Sequence, residues 1–258
     1  MKTMKSFLKS SLPILTMLAI LPIWEIACRV FAIPSFILPS PSAISTAFMH
    51  VSAERWLDNL WATLRVALFG FAISLTISIP LAIIMVSSKF MTKAIFPLLV
   101  IIQSTPVVAI APLLIVILGT GDAPRLAITC LITFFPLVVS ATTGMLTTPP
   151  ELIELSKSLN VSTSRTIWQI RLPYAIPHIF SGIKVAITLS VIGAVISEFV
   201  AAEKGLGYFV QFSTSYFKIP QAFAALVFLS AVSMLLFKSV QWIQKGFFSW
   251  SLPKDEGY

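Results

Sequence analysis

Residues Leu126 to Pro150 read LAITCLITFFPLVVSATTGMLTTPP and contain no charged side chain. An α-helix needs about 20 predominantly apolar residues to cross the hydrocarbon core of a bilayer, so this stretch predicts a transmembrane helix. The same criterion finds three more charge-free runs and two spans that charges interrupt: Val66 to Ser88, Ala94 to Gly121, Ile219 to Phe237, Leu12 to Phe31 and Ile183 to Ala201. The sequence therefore predicts an all-α integral membrane protein with six transmembrane helices, organised as one transmembrane domain over residues 1–258.

The composition supports this interpretation. Charged residues make up 11% of the 258 residues and hydrophobic residues 57%, whereas an average soluble domain is about 25% charged. The two cysteines, Cys28 and Cys130, both fall inside predicted spans. We therefore expect neither a disulfide framework nor a metal site.

The lysines and arginines predict the orientation, because cytoplasmic loops of membrane proteins carry an excess of these residues. If both termini are cytoplasmic and six helices alternate, twelve of the 18 basic residues lie on the cytoplasmic side. These twelve are Lys2, Lys5, Lys9, Lys89, Lys93, Lys157, Arg165, Arg171, Lys184, Lys238, Lys245 and Lys254. The topology accounts for the net charge of +8 and argues against a nucleic-acid partner.

This orientation also assigns the loops. Pro34 to Asp58 lies outside, and within it Ser42 to Val51 is expected to form a short helix along the outer interface. Ser87 to Lys93 forms a short cytoplasmic turn. Residues 148–173 form a large cytoplasmic loop between the fourth and fifth helices.

The third predicted span contains Pro97, Pro106 and Pro112. Proline removes a backbone hydrogen bond and kinks a helix, and in lipid the freed carbonyls need other partners. Three polar residues beside the middle proline, Gln103, Ser104 and Thr105, are candidates for this role and, together with Pro106, for lining a pathway. The alternative is a set of static kinks without a transport role.

The cytoplasmic loop is predicted to contain two short helices. Thr148-Pro-Pro-Glu151 has the form of a capping box, and Leu152, Leu155 and Leu159 fall on one face of the helix that follows. Asn160 tolerates the left-handed backbone that ends a helix. Ser162 then caps a second helix, about Thr163 to Ile170, which Pro173 closes. Such a unit is either a docking element for a partner or an amphipathic linker on the membrane surface.

The loop resembles the E-A-A-x3-G-x9-I-x-L-P signature of the permease subunits of binding-protein-dependent ABC importers. Glu154 matches the glutamate, Leu155 and Ser156 stand at the two alanines, Asn160 stands at the glycine, and Ile170 and Leu172-Pro173 match the end. Leu155 is bulkier than the alanine it replaces. Four further motifs resemble the nitrate/sulfonate/taurine branch of this family: Pro34 to Ser42, Phe134 to Pro136, Ser197 to Phe199 and Gly205 to Tyr208.

The resemblance implies a permease domain in the bacterial cytoplasmic (inner) membrane that forms the path for a small solute. It implies three partners: an ABC ATPase subunit dimer, a second permease copy in a homodimer, and a periplasmic or lipid-anchored substrate-binding protein. The sequence contains no G-x-x-x-x-G-K-[ST] phosphate loop, so we expect no cofactor on this chain, ATP–Mg in the partner subunit, and no enzymatic activity here. The implied ATPase-coupling residues are Glu151, Leu152, Glu154, Leu155, Ser156, Leu159, Asn160, Arg165, Ile170, Leu172 and Pro173.

Charges inside the predicted spans leave alternatives open. Glu25 and Arg29 are four residues apart and are expected to pair on one helix face. Glu198, near the outer end of the fifth span, either faces the pathway or anchors the outer loop through Lys204 or Arg65. The alternative function is an ion-gradient-driven secondary carrier, although no internal repeat or midplane carboxylate of the kind found in such carriers is visible.

Overall fold

The computed structural model describes residue 16 and residues 19–252, and over these residues the fold is entirely helical. The helices are α1 (19–30), α2 (Pro41–His50), α3 (Ala53–Ser87), α4 (Lys89–Ser104), α5 (Val107–Leu118), α6 (Asp122–Leu146), α7 (Pro150–Ser158), α8 (Thr163–Thr166), α9 (Leu172–Ala201), α10 (Leu206–Ser215) and α11 (Ile219–Phe247), with a π-helical turn at Ile167–Arg171 and a 3₁₀ turn at Ser249–Ser251. The predicted all-α fold is confirmed for this part of the chain. Lys2, Lys5, Lys9, Lys254 and the start of the first predicted span lie outside the described residues.

Among residues 19–252, four helical segments are long and apolar enough to cross a membrane: Ala53–Ser87, Asp122–Leu146, Thr163–Val200 and Ile219–Phe247. They coincide with the second, fourth, fifth and sixth predicted spans. Three of these segments are longer than the apolar run that predicted them, because charged and polar residues at the ends of a run are compatible with continued helix. The fourth, α6, begins four residues before its run and ends four residues before Pro150.

The third predicted span is not one kinked helix, which corrects the sequence interpretation. α4 and α5 pass the criteria for a span only as a pair, and they are bent by 93° at their junction. Thr105 is extended (φ −80°, ψ 127°), because the ring of Pro106 disfavours helical geometry in the preceding residue. The Thr105 N–H donates to the Ile102 carbonyl at 3.3 Å, the carbonyl that Pro106 has no N–H to satisfy.

Hydroxyl groups satisfy further carbonyls at this break. Ser104 Oγ donates to the Val100 carbonyl at 2.8 Å, and Thr105 Oγ1 donates to the Ile101 carbonyl at 3.0 Å. The two hydroxyls thus donate to carbonyls beside the proline, whereas the carbonyl that Pro106 leaves free accepts from the Thr105 N–H; their place on a pathway stays a prediction.

The cytoplasmic turn predicted at 87–93 is also shorter than expected. Only Ser88 separates α3 from α4. Ser88 is the N-cap residue of α4, and its hydroxyl accepts a hydrogen bond from the Phe90 N–H at 3.2 Å. A serine at this position satisfies one of the free amides at a helix start, which allows the helix to begin immediately.

The chain divides into two compact units, the first formed by Met1–Asp58 and Phe209–Phe228. Its described core is aromatic: the Phe48 and Trp56 rings stack with 4.9 Å between centroids, and Phe228 meets both rings edge-on. Trp56 Nε1 donates to the Phe48 carbonyl at 3.1 Å. These contacts hold α2, the predicted short helix, which begins at Pro41 with Ser40 as its N-cap.

The second unit is formed by Asn59–Tyr208 and Leu229–Tyr258, and α6 and α9 make its closest helix contact. A Cβ added to Gly182 would lie 2.6 Å from Ser140 Cβ, and one added to Gly193 would lie 2.9 Å from Thr129 Cα. Small residues let helix backbones approach each other in lipid, where packing rather than the hydrophobic effect holds helices together. The organisation of residues 1–258 as one domain remains a prediction.

Gly193 provides a test of this packing. Gly193→Ala should lower the thermal stability of the detergent-solubilised protein, because the new methyl group meets backbone that cannot rotate away; overpacking of this kind costs about 1–3 kcal/mol. Gly246→Ala is the control, since no atom lies within 4 Å of an added Cβ there. Equal melting midpoints for the two variants, measured by fluorescence-detected size exclusion after heating, would contradict the close α6–α9 contact.

Candidate functional site

The loop of residues 148–173 begins differently from the predicted capping box. The N-cap residue of α7 is Pro149, with no side-chain cap, and Pro150 occupies the first turn. Thr148 is buried and its hydroxyl donates backwards to the Met145 carbonyl at 2.9 Å. The threonine thus caps the end of α6 and Glu151 lies in the first turn of α7, where the positive end of the helix dipole favours a carboxylate.

The predicted apolar face of this loop is exposed. Leu152, Leu155 and Leu159 are 40%, 57% and 68% exposed, and their i, i+3, i+7 spacing places them on one side of the helix. We call these three residues the leucine ridge. Clustered apolar side chains that a chain does not cover itself mark interaction surfaces.

Asn160 ends α7 as predicted. Its φ angle is +52°, and the Val161 N–H donates to the Ser156 carbonyl at 2.9 Å. This closing bond across a left-handed residue is the usual helix C-terminus with glycine, and asparagine is the common substitute. Asn160 therefore preserves the turn geometry that glycine provides in the family signature.

Ser156 has a structural role that the sequence did not reveal. Its hydroxyl lies 2.6 Å from Thr166 Oγ1, and both residues are buried. Ser162 caps α8 as expected, accepting from the Arg165 N–H at 3.4 Å. The buried hydroxyl pair joins α7 to α8 and fixes the angle at which the leucine ridge projects.

Pro173 does not close the unit, and the second short helix does not end at Ile170. The chain stays helical from Thr163 to Val200, passing through a π-helical turn in which the Leu172 N–H donates to the Ile167 carbonyl. Pro173 then lies in the first turn of α9. A π turn adds one residue to a helical turn, and this wider spacing accommodates a proline that lacks an N–H and crowds the preceding turn.

The remaining coupling candidates differ in how exposed their side chains are. Glu154 and Arg165 are exposed, whereas Ile170 and Leu172 are half-buried on the continuous helix. The leucine ridge, its fixing hydroxyl pair and the long helix through Pro173 are therefore parts of one connected segment.

The pathway candidates fall into two places. Gln103, Ser104, Thr105 and Pro106 are exposed and lie together at the 93° bend between α4 and α5. Glu198 lies near the C-terminus of α9, far in sequence from this bend, and is 1% exposed.

Glu198 belongs to a buried cluster that holds the start of α10. Three successive backbone N–H groups donate to three side chains: Gly205 to Asn59 Oδ1 at 2.9 Å, Leu206 to Thr63 Oγ1 at 2.8 Å, and Gly207 to Glu198 Oε2 at 2.7 Å. We call this arrangement the amide clamp. The first amides of a helix have no partner within it, and the clamp supplies three.

The clamp explains the glycines of the Gly205-Leu-Gly-Tyr208 motif. Gly205 has φ +132°, and a Cβ on it would lie 2.2 Å from Glu198 Cδ; a Cβ on Gly207 would lie 2.8 Å from Glu198 Oε2. Glu198 thus holds the segment between α9 and α10 through the Gly207 amide, whereas Arg65 pairs with Asp122 at 2.9 Å. Asn59 and Thr63 were missed by sequence reasoning, although their i, i+4 spacing before an apolar run was a usable signal.

The predicted Glu25–Arg29 pair is present in the first unit, with 2.7 Å between the charged groups. The Glu25 carboxylate also accepts from the Ser42 N–H at 3.0 Å and from the Ser42 hydroxyl at 2.8 Å. These bonds fasten the first turn of α2 to α1, so the pair has a structural function.

Comparisons with known proteins show the family to which the chain belongs. The chain matches the family described as the binding-protein-dependent transport system inner membrane component over residues 74–249. A probable ABC transporter permease protein of Haemophilus influenzae is 32% identical over 241 residues, which cover 93% of this chain and 97% of that protein. A formylaminopyrimidine transport permease protein of Halalkalibacterium halodurans is 31% identical over 238 residues, covering 92% and 95%.

The fold is similar to that of a solved methionine ABC transporter in an inward-facing conformation, with a TM-score of 0.63 at 18% identity over 76% of this chain and 99% of that one. The fold and the relatives together define a multi-pass permease. The chain belongs to the family of inner-membrane permease components of binding-protein-dependent ABC transport systems. The predicted resemblance and the inner-membrane location are confirmed.

The amide clamp makes a testable prediction. Glu198→Ala should lower the thermal stability of the solubilised protein, because it leaves the buried Gly207 N–H without an acceptor at a cost of about 1–3 kcal/mol. Glu198→Gln is the matched control, since its amide oxygen can still accept that bond. A melting midpoint for Glu198→Ala equal to that of Glu198→Gln would show that the carboxylate does not hold α10.

Proposed function

We propose that this ABC importer permease forms the membrane path for a small solute that a separate substrate-binding protein delivers from outside. The solute class is a sulfonate, nitrate, taurine or a vitamin precursor. The motifs that resemble the nitrate/sulfonate/taurine branch support the first three, and the relative named for formylaminopyrimidine transport supports the last.

The exposed leucine ridge is the observation that carries the coupling proposal. It inserts into a groove of an ABC ATPase subunit, with Glu151, Glu154 and Arg165 around the rim of the contact. An amphipathic helix that presents i, i+3, i+7 apolar anchors is suited to a hydrophobic groove. The surface-linker alternative does not account for the buried Ser156–Thr166 bond, which holds the ridge at a fixed angle.

ATP–Mg binds in the partner ATPase dimer, and this chain binds no cofactor. Closure of that dimer moves the ridge, and the ridge moves α9 because α8 continues into α9 without a break. Coupling requires an element with two arrangements that the ATPase state biases. The long helix through the π turn is that element.

The path itself forms between two copies of the permease in a homodimer. The polar residues Gln103, Ser104 and Thr105, with Pro106, line it at the α4–α5 bend. The amide clamp holds the segment at its outer end, and Glu198 acts there by positioning α10. In the proposed topology the chain crosses the membrane six times with both termini in the cytoplasm, which places the ridge beside the ATPase.

Removal of the ridge tests the coupling. The tagged chain, isolated in mild detergent from its host, should retain an ATPase that carries a G-x-x-x-x-G-K-[ST] motif. Leu155→Ala with Leu159→Ala should reduce that retention by roughly tenfold or more, because central apolar anchors dominate interface energy. Lys157→Ala is the control, since it lies on the opposite face of the same helix.

Two results would contradict the proposal. Equal ATPase recovery with the ridge variant and the Lys157 control would remove the ridge from the interface. A stable assembly without any ATPase, together with solute uptake that follows an ion gradient, would favour the secondary carrier instead.

The orientation has its own test. In a background in which Cys28 and Cys130 are replaced by alanine, Ser164→Cys should react with a membrane-impermeant maleimide only in inside-out vesicles. Thr46→Cys, on α2, should react only from the outer side of intact cells. Both positions are exposed in the structure, so accessibility depends on the side of the membrane. Labelling of Ser164→Cys from outside would overturn the topology.

A further inference from the structure

A cavity of about 260 Å³ lies between α3, α4 and α6 in the second unit. Its walls include Met85 from α3, Thr92 and Phe96 from α4, and Val139, Thr142 and Leu146 from α6. Phe96 and Leu146 are 43% and 50% exposed, so the cavity is reached from the surface of the described chain. It is separate from the leucine ridge, the α4–α5 bend and the amide clamp.

The cavity suits a hydrocarbon occupant. Thr92 Oγ1 donates to the Met85 carbonyl at 2.6 Å, and Thr142 Oγ1 lies 3.9 Å from Met85 Sδ. These two hydroxyls are directed at protein acceptors, and apart from Thr143 the remaining lining residues are apolar. An apolar cavity of about 150 Å³ stays dry and holds a benzene molecule, so the larger space here accommodates several methylene groups.

Two positive charges lie at one end of this cavity. Lys89 and Lys93 are both exposed, and with Thr92 and Phe96 they follow the i, i+3, i+4, i+7 pattern that defines one helix face. The rise from Lys89 to Phe96 is about 10 Å along the helix. Like charges four residues apart repel each other, and among the described residues neither lysine forms an ion pair. An anion between them would remove that repulsion.

We propose that this face binds an anionic phospholipid, with one acyl chain in the cavity and the phosphate headgroup on Lys89 and Lys93. The order of the groups along α4 matches a lipid molecule: the charges lie in the first turn and a half of the helix, and the cavity begins beside them at Thr92 and reaches Phe96, two turns from Lys89. Basic residues beside a pocket between membrane helices are typical of headgroup recognition. The site is independent of the solute and of the ATPase contact.

The test uses the full-length chain, purified in mild detergent and freed of lipid. Native mass spectrometry then measures retention of phosphatidylglycerol and of phosphatidylcholine with identical acyl chains. The wild type should retain phosphatidylglycerol, the anionic lipid, in preference to phosphatidylcholine. Lys89→Gln with Lys93→Gln should reduce that retention by about tenfold or more, whereas Lys238→Gln with Lys245→Gln, a change of equal charge elsewhere, should leave it unchanged.

A second pair of variants tests whether an acyl chain occupies the cavity. Val139→Phe fills the cavity and should abolish retention of the anionic lipid, whereas Val100→Phe, an equal enlargement that does not line the cavity, should retain it. If Val139→Phe does not purify as a single species, Val139→Leu replaces it with a smaller expected loss.

Three outcomes would overturn the proposal. The first is equal retention of the two lipids by the wild type, and the second is retention unaffected by the lysine changes. The third is equal retention by Val139→Phe and Val100→Phe, which would show that the lysines attract headgroups at the surface with no chain in the cavity. The wild type retaining neither lipid, while Val139→Phe no longer forms the dimer that the wild type forms, would also overturn it. The cavity would then belong to the contact between two copies of the chain.

Discussion

A backbone N–H or C=O group that is buried in protein or surrounded by hydrocarbon must find a partner within the protein, and this constraint accounts for the structure at three places where regular helix is interrupted. At Pro106 the helix breaks, and Thr105 supplies a backbone and a hydroxyl donor to the last carbonyls of α4. At Pro173 the helix does not break, because a π turn changes the spacing. At the start of α10, side chains from α3 and α9 accept from three amides. The pathway candidates lie beside the first and the third of these places, at the α4–α5 bend and at Glu198.

The helical segment from Thr163 to Val200 links two of these places. At its first end, Thr166 holds the leucine ridge through the buried bond to Ser156. At the other end, Glu198 holds the first turn of α10. Between the two ends, close contact with α6 at Gly182 and Gly193 limits how the segment can tilt. Roughly 50 Å of continuous helix thus connects the ridge to the residues that hold the start of α10.

Most of the long helices, the leucine ridge and the end of α7 were predictable from the sequence, because apolar runs, the leucine spacing and the asparagine turn are local signals. The features that were missed depend on the third dimension. Proline alone does not determine whether a helix kinks, breaks or widens: Pro97 and Pro112 lie inside continuous helices, Pro106 lies at a break, and Pro173 follows a π turn. Thr148 was predicted to cap the helix after it and instead caps the one before. Asn59 and Gly205 lie far apart in the sequence, so no local pattern pairs them.

The Glu198 carboxylate occupies the space that a side chain on Gly205 or Gly207 would need, which restricts the order in which these positions can evolve. For Gly207 to gain a side chain, residue 198 must first become smaller, and the Val195 backbone, 3.0 Å from an added Cβ, must also shift. Shortening the side chain at position 198 leaves the buried Gly207 N–H without an acceptor, so it lowers stability before any new side chain is introduced. Gly205 is restricted further, because its φ of +132° excludes other residues whatever stands at position 198. The segment between α9 and α10 can therefore change in composition around this motif while the motif itself stays fixed.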